Sequence, residues 1–528
     1  MKRRDFIKLS SAAGVVGLHI DAVANPLYAQ QANGFDLHPF IKAHPEAVFV
    51  NLTDVKEKTD QKGTYDAAYK LSREMFVSTS GGAGFSNSTK IAAKPNWTCA
   101  SQDRDDPTAN MGIITDLGFT EGYLNGVRSR GPQQVYLRDC ACPDQWETNG
   151  YIDMAKRNNF DLSNFVAKDP WLYENGEIIF KEVNGTIYKE IGFLAPMTAP
   201  DSFLVNIAKF KAHGMGITST IKNLQGIAAR RLHQFCSVAD AFRSLDSGYH
   251  RYFQPNYLEK VAELHKKHIE AGIPRWNEIM PRPPLNSGLY MEQWIQRMLD
   301  AYSVIPVSDG IHIVEGVYGR DGDGFAGGPH NGKAKDYMSN NVIFGKDPFR
   351  VDIITHWLAG HEPGNFGLFH IGIERGFSKV LDPFDIPLYA WENGEARKIN
   401  LDTLKRWPLV TPYLRISEEE DRYHMCDEPF DYKAWKETSK IAKIEPSIKA
   451  IGTDANNNIV MDMAVPKKGD VYVDILNNNG EVIWRMYADD LEPGNHQVVW
   501  DGFGQPGMYT TYVKGMGWDT ENKMVIYS

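Results

Sequence analysis

The sequence predicts an α/β main domain, layered around a mostly parallel sheet with an inserted helical region, followed by a small C-terminal antiparallel β-sandwich. Three observations carry this prediction. Between about 40 and 440, short apolar runs alternate with amphipathic stretches, as in strands and helices stacked in layers. From Ser447 to 528 the pattern changes to short alternating strands separated by turn residues. The chain has 528 residues, 42% of them hydrophobic, which is too long for one ordinary domain and enough to bury a full core.

Residues 1–29 read as a twin-arginine export signal. Lys2, Arg3, Arg4, Asp5, Phe6, Ile7 and Lys8 match the twin-arginine consensus, and a short, weakly apolar stretch runs from Ser11 to Ile20. Ala22-Val23-Ala24 offers a cleavage site and Leu27-Tyr28-Ala29 a second. A basic N-terminal helix is the bland alternative. The signal implies a periplasmic or secreted protein, and this route carries folded cargo, often because a cofactor is inserted before crossing.

Bulk composition narrows the partners. A net charge of -10 with no block of like charges gives no field for gripping phosphate backbones, so nucleic acid is not an expected partner. No long apolar run is present, so no membrane span is expected. The five cysteines, Cys99, Cys140, Cys142, Cys236 and Cys426, are too few for a disulfide scaffold, and at least one thiol is left over.

Within the main domain, Gln134 to Arg138, Phe203 to Ile207 and Ile311 to Val314 read as buried strands. Leu258, Val261, Leu264 and Ile269 fall on one helical face, and so do Met291, Trp294, Ile295, Met298, Leu299 and Tyr302. In such sheets the residues just past strand C-termini line the ligand crevice, which singles out Asp139, Lys211, His213 and Glu315.

In the C-terminal part, Asn477-Asn478-Asn479-Gly480 joins Val471–Leu476 to Glu481–Tyr487 as a hairpin. A second hairpin is expected around Glu492-Pro493-Gly494-Asn495, before His496 to Trp500. The turn into a strand at Asn479 to Val482, the Pro-Gly-Asn-His turn, Trp500-Asp501-Gly502 and the pair Gly507 and Tyr509 resemble the Ig-like domain of the flagellar hook-capping protein and related C-terminal modules of secreted bacterial enzymes. The resemblance implies a fold and a packing or attachment role, docking to a protein or a cell surface.

The densest polar cluster is Lys209, Lys211 and His213, followed by Thr218, Thr220, Lys222, Asn223 and Gly226. So many donors beside an apolar strand repel one another unless an anion or carboxylates neutralise them, so an anionic small molecule is the expected ligand. A lysine or histidine in such company can have its pKa lowered and serve as a general base, which makes Lys211, His213 and Lys222 the candidate catalytic groups. A solvated turn with a capping threonine is the alternative. Asp139, Asp144, Glu315, Asp347 and Asp352 could converge with His213 on a divalent metal, since hard cations prefer oxygen and tolerate one imidazole. Asp347, standing before Pro348, equally reads as a helix cap.

Other fragments carry less. Asp139-Cys140-Ala141-Cys142 gives at most half a soft-metal site. His356 and His361 are five apart, about 140° around a helix, so one unbroken helix cannot present both to one ion. Gly81 to Gly84 lacks the spacing of a phosphate loop, and Asp321 to Gly324 departs from a calcium loop.

The chain from about Lys90 to Gly376 resembles the domain-of-unknown-function family 362. The matching stretches are Lys94-Pro95-Asn96, Gly150-Tyr151, Lys209 to His213, Thr218 to Gly226, Asp309-Gly310, Glu315-Gly316, Gly345 to Pro348, Val351-Asp352 and Gly360 to Pro363. They add Lys94 and Asn96 to the candidate substrate-binding residues Lys209, Thr218 and Asn223. Some members carry ferredoxin-type clusters, but no Cys-x-x-Cys occurs here, so no iron–sulfur cluster is expected. The segment from Arg230 to Pro306 looks expanded by helices. His213, Gly216 and Lys222 distantly echo the cofactor segment of nickel-pincer lactate racemases, with an incomplete glycine pattern and no pincer implied.

The expectation is an exported, metal-dependent enzyme acting on an anionic or sugar-derived small molecule. The alternative is a non-catalytic ligand-binding or cell-surface assembly protein. The enzyme reading requires the lysine-histidine segment and the later carboxylates to meet around a common cavity.

Overall fold

Twelve consecutive buried residues, Ser202–His213, form the strand on which the main unit is built. The computed structural model describes residues 34–80, 82–97, 108, 111–140, 145–162, 176–213, 216–229, 247–273, 288–322, 333–409, 428–442, 446–454, 456, 458–466, 469–492, 494–501, 506–515 and 518–526. The segment expected to be an export signal, Asp144, and Cys99, Cys142, Cys236 and Cys426 lie outside these residues. By internal contacts the chain divides into two units, Met1–Phe430 and Asp431–Ser528.

The first unit opens with β1 (Gly34–Leu37), α1 (Pro39–Ala43), β2 (Val48–Leu52), α2 (Gln61–Met75), β3 (Phe76–Thr79), β4 (Phe85–Ser86) and β5 (Lys90–Pro95). Next come α3 (Leu117–Arg128), β6 (Val135–Leu137), α4 (Tyr151–Asn158), β7 (Asp161–Leu162), β8 (Ile178–Glu182), β9 (Glu190–Leu194), β10 (Ser202–His213), β11 (Gly216–Thr218) and α5 (Thr220–Asn223). The unit continues with α6 (Tyr257–Glu270), α7 (Gly288–Tyr302), β12 (Gly310–Arg320), β13 (Asp336–Tyr337), β14 (Asn341–Gly345), α8 (Pro348–Leu358), α9 (Gly367–Glu374), β15 (Leu388–Glu392) and β16 (Glu395–Lys398).

Its main sheet is mixed and mostly parallel, in the order β16-β15-β2-β14-β12-β10-β5-β6-β7. β5, β6, β7, β10 and β12 run parallel, and β14 lies antiparallel between β12 and β2. β5, β10, β12 and β14 are buried almost throughout, as strands covered on both faces must be. One face packs Ile91, Ala93, Val205, Ile207, Ile311 and Ile313 against Leu71, Met75, Phe119 and Tyr123 of α2 and α3.

The strands run further than the apolar pattern suggests. β10 continues from Ile207 through Lys209 and Lys211 to His213, and β12 continues past Val314 through Glu315 to Arg320. Lys209 and Glu315 stand opposite each other in the ladder, so each charge finds its partner inside the sheet. The last turn of β10 then folds back on β11, with Lys211 opposite Thr218 and His213 opposite Gly216. The face predicted on α7 is buried at all six positions. On α6 only Val261 of the four predicted residues is fully buried and Ile269 is exposed, because His268 takes the inward position.

The second unit contains α10 (Tyr432–Ala442) and the strands β17 (Ser447–Thr453), β18 (Ile459–Val465), β19 (Gly469–Leu476), β20 (Val482–Leu491), β21 (Gly494–Trp500), β22 (Gly507–Gly515) and β23 (Trp518–Ile526). Two antiparallel sheets form, β17-β18-β21 and β20-β19-β22-β23. Met461, Met463 and Trp500 of the first sheet share a cluster with Val471, Val473, Ile475 and Val513 of the second. The Asn477–Gly480 hairpin joins β19 to β20. The expected second hairpin does not form, because β20 and β21 belong to different sheets and β21 pairs with β18. Turn residues mark where the chain reverses and leave the choice of partner to the core.

Candidate functional site

Polar side chains enter the sheet in two registered rows. Lys94, Asn206 and His312 stand side by side on β5, β10 and β12. Lys209 and Glu315 lie three residues further along, so by the two-residue period of a strand they point to the opposite face.

On the first face, Lys94 Nζ donates to Asp139 Oδ2 at 2.8 Å, to Asn223 Oδ1 at 3.0 Å and to the Pro95 carbonyl at 2.6 Å. Asn223 Nδ2 donates to Asn206 Oδ1 at 2.7 Å, and Asn206 Nδ2 lies 3.2 Å from His312 Nδ1. His312 Nε2 lies 3.0 Å from the Val307 carbonyl, and burial lowers this imidazole to about 4. The row pins α5 to the end of β5 and the middle of β10. Gly226 sits against it, and a Cβ there would stand 2.4 Å from Lys94 Cε, so a larger residue would push the Lys94 ammonium off its three bonds.

On the second face, Lys209 Nζ donates to Glu315 Oε2 at 2.7 Å, with both side chains fully buried, and lies 3.5 Å from the centre of the Tyr318 ring. Glu315 also accepts from the backbone N–H groups of Asp116 and Val317, at 3.1 and 3.0 Å. Asp116 caps α3 through the Phe119 N–H and accepts from the Tyr318 hydroxyl at 2.9 Å and from Gln61 Nε2 at 2.7 Å. Burial raises the Glu315 carboxyl above its ordinary range; Lys209 opposes the shift and Asp116 adds to it.

At the tip of β10, Lys211 and His213 are buried and Lys222 of α5 is half-buried. Burial holds the His213 imidazole well below its usual range, and the charges of Lys222 and then Lys211 push it down further. These three residues therefore share one electrostatic environment. Thr218, opposite Lys211, is also buried there.

The carboxylates divide. Asp139 and Glu315 are bound to Lys94 and Lys209. Asp352, on α8, accepts from Ser219 Oγ at 2.6 Å, from Thr220 N and Oγ1 at 2.7 and 2.5 Å, and from Ile221 N at 3.0 Å. Burial raises Asp352 to about 6 against these donors, and its role is to hold the start of α5. Asp347 does not join the others. It caps α8 through the Phe349 and Arg350 N–H groups and lines a cleft of about 370 Å³ with Val307 and Lys346. It lies two residues beyond Gly345, which stands opposite His312 near the start of β12, whereas Lys211 is level with Arg320 at its end. Along β10 the His312 level is that of Asn206, five residues before Lys211, which puts these two levels roughly 17 Å apart. The antiparallel run of β14 delivers Asp347 to the wrong end of the sheet. Among the described residues no three His, Cys, Asp or Glu side chains come together as metal ligands.

His356 and His361 are close after all, with ring centres 6.4 Å apart, because α8 ends at Leu358 and Gly360 turns the chain at φ +85°. Each is anchored to a carbonyl, His356 Nδ1 at 2.7 Å from Asp352 O and His361 Nε2 at 2.7 Å from Leu409 O. Burial, reinforced by His361, lowers His356 to about 3.

An aromatic cluster beyond β5 escapes a reading by motif. Trp97 stacks on Tyr151 with ring centres 3.8 Å apart and meets Trp146 edge-on at 5.9 Å. Its backbone N–H donates to Asp139 Oδ2 at 2.9 Å. Asn96 Oδ1, Trp97 Nε1, Trp146 Nε1 and the Tyr151 hydroxyl are buried without a hydrogen-bond partner among the described residues. Asp116 was detectable as a helix cap, but nothing local links it to Glu315.

The fold and the site define an α/β protein with polar groups along its central strands, of which Lys94, Lys211 and His213 stand at the carboxyl ends of parallel strands, where such sheets bind ligands. The profile of the family described as Domain of unknown function (DUF362) matches residues 91–356, half of the chain, and the protein belongs to that family. The match runs from β5 into α8 and so includes both polar rows and the tip of β10. No curated protein matches the chain.

Proposed function

We propose that the protein is an exported enzyme that binds a small anionic substrate at the tip of β10 and moves a proton on it with His213. The observation that carries this reading is the joint depression of the His213 imidazole by burial, Lys222 and Lys211. A neutral imidazole is a proton acceptor, but the two ammonium groups weaken it as a base. An anion between the lysines cancels their field and restores basicity, so base strength rises when substrate is present. Lys211 and Lys222 hold the charged end, His213 Nδ1 or Nε2 accepts a proton from a neighbouring C–H or O–H, and the imidazolium returns it. Lys94, Asn96, Lys209 and Asn223 act around this centre through bonds that fix the strands, and Thr218 lies buried opposite Lys211. Asp139, Glu315 and Asp352 already accept from protein donors and are assigned as positioning residues.

The measurement is solvent exchange. A panel of small carboxylic acids and sugar phosphates is incubated with the protein in D₂O and followed by NMR. Deuterium incorporation that His213→Gln abolishes, and that Lys222→Met slows by about tenfold or more, is the expected result. Exchange that survives His213→Gln, or no exchange with any compound, overturns the reading.

A second reading, a ligand-binding or surface-assembly protein, is favoured by the exposed Tyr472, Val482, Ile483 and Tyr487 on β19 and β20. On that reading the second unit is an Ig-like sandwich that docks to a protein or cell surface.

A further inference from the structure

Beyond β5, we infer that Asn96, Trp97, Trp146 and Tyr151 form a subsite for the uncharged oxygen atoms of a hydroxylated ligand. Their exposures are 8%, 0%, 3% and 1%, yet Asn96 Oδ1, both indole N–H groups and the Tyr151 hydroxyl have no hydrogen-bond partner among the described residues. Buried polar groups are normally satisfied, and each orphan costs the free energy of a lost hydrogen bond. Trp97 is in ring contact with both Tyr151 and Trp146, and Asn96 is its neighbour in the chain, so these orphans mark a place where a bound group supplies the missing bonds.

The atoms define what binds. The indole nitrogens donate only, the phenol donates or accepts, and the amide oxygen accepts only. The amide is oriented by Asn96 Nδ2 donating to Asn223 Oδ1 at 3.3 Å, which leaves its oxygen for the ligand. Three donors against one acceptor call for an oxygen-rich group carrying at least one hydroxyl. Its charge is set by the surroundings, since burial at Tyr151 disfavours any charged group and the carboxylates of Asp116, Asp139 and Glu315 add to this against an anion. An anion is repelled there, so the bound oxygens belong to neutral hydroxyl or carbonyl groups.

Placement ties this subsite to the tip of β10. Asn96 N donates to the Ile207 carbonyl, and Lys211 lies four residues further along the same strand, roughly 13 Å away. Resting on the reading of Lys211, His213 and Lys222 as the anion end, the substrate class becomes a small anion with a hydroxylated body, such as a sugar phosphate.

The full chain is titrated with glucose 6-phosphate, inorganic phosphate and glucose, following heat and tryptophan emission. Wild type is expected to bind glucose 6-phosphate at least tenfold more tightly than phosphate, with a change in emission. Tyr151→Phe, which removes one oxygen, is expected to erase most of that advantage, to leave phosphate binding unchanged and to keep or raise the melting temperature. Equal affinity for the two phosphates in wild type, or an undiminished preference for glucose 6-phosphate in a folded Tyr151→Phe, overturns the inference. Should Tyr151→Phe fail to fold, Trp146→Phe is read in the same way. If phosphate does not bind, the anion reading has failed, and the subsite is judged by glucose alone: an emission change lost in Tyr151→Phe supports it, and no change overturns it.

Discussion

Lys209 shows how a charged residue can occupy the middle of a buried strand. Its ammonium is neutralised by Glu315 and covered by the Tyr318 ring, and neither side chain of the pair meets water. Removing one member of such a pair strands the other, at a cost of about 3–5 kcal/mol. Lys209→Met is therefore expected to lower the unfolding free energy by about that amount in guanidinium titrations at pH 8. The loss should shrink as the pH falls. Glu315 already has a raised folded pKa, so the penalty for burying it ionised is present above that pKa and disappears once it takes a proton. Lys209→Met combined with Glu315→Leu should recover much of the loss. A single-variant cost below about 1 kcal/mol, or one independent of pH, contradicts a buried pair.

At the scale of elements, the same residues explain what could be read from sequence. The apolar cores of β10 and β12 were legible, but their extensions were not, because Lys209, Lys211 and His213 look like a loop until Glu315 is known to lie opposite. Helix α6 misleads for a related reason: its inward residue is His268, held between Glu292 of α7 at 2.8 Å and Glu374 of α9 at 2.7 Å. Burial opposes the imidazolium, but the bonds to the two carboxylates outweigh it and raise His268 to about 9. Because the folded pKa exceeds the unfolded value near 6.5, the stabilisation is fully present below about pH 6.5 and is lost as pH rises through 9. It amounts to at most about 3 kcal/mol, less because Glu374 is partly open to solvent screening. Guanidinium midpoints at pH 7 and 10 should therefore fall in wild type by more than in His268→Gln. Equal falls in the two proteins would mean that the imidazolium does not join the three helices.

For the whole molecule, the change of texture near Ser447 revealed an α/β unit followed by antiparallel sheets, since period and turn chemistry are local properties. The candidate site was legible only in part. Lys94, Lys209, Glu315 and Asp139 lie far apart in sequence and meet through strand order, which no local pattern encodes, and Asp347 was misjudged because the direction of β14 could not be seen. The proposed export belongs to this scale as well, since the twin-arginine route moves chains that have already folded. The buried pairs at Lys94 and Lys209 join strands and loops from residue 94 to residue 315, so they form only when the main sheet is assembled. With Arg3 and Arg4 both replaced by lysine, the full chain made in a bacterium that has this route should remain unprocessed in the cytoplasm, while the wild-type chain appears shortened in the periplasm. Lys209→Met with the signal intact should also be exported less, through its folding defect. If the twin-lysine chain reaches the periplasm as efficiently as wild type, the signal reading fails, and with it the assignment of this protein to a compartment outside the cytoplasm.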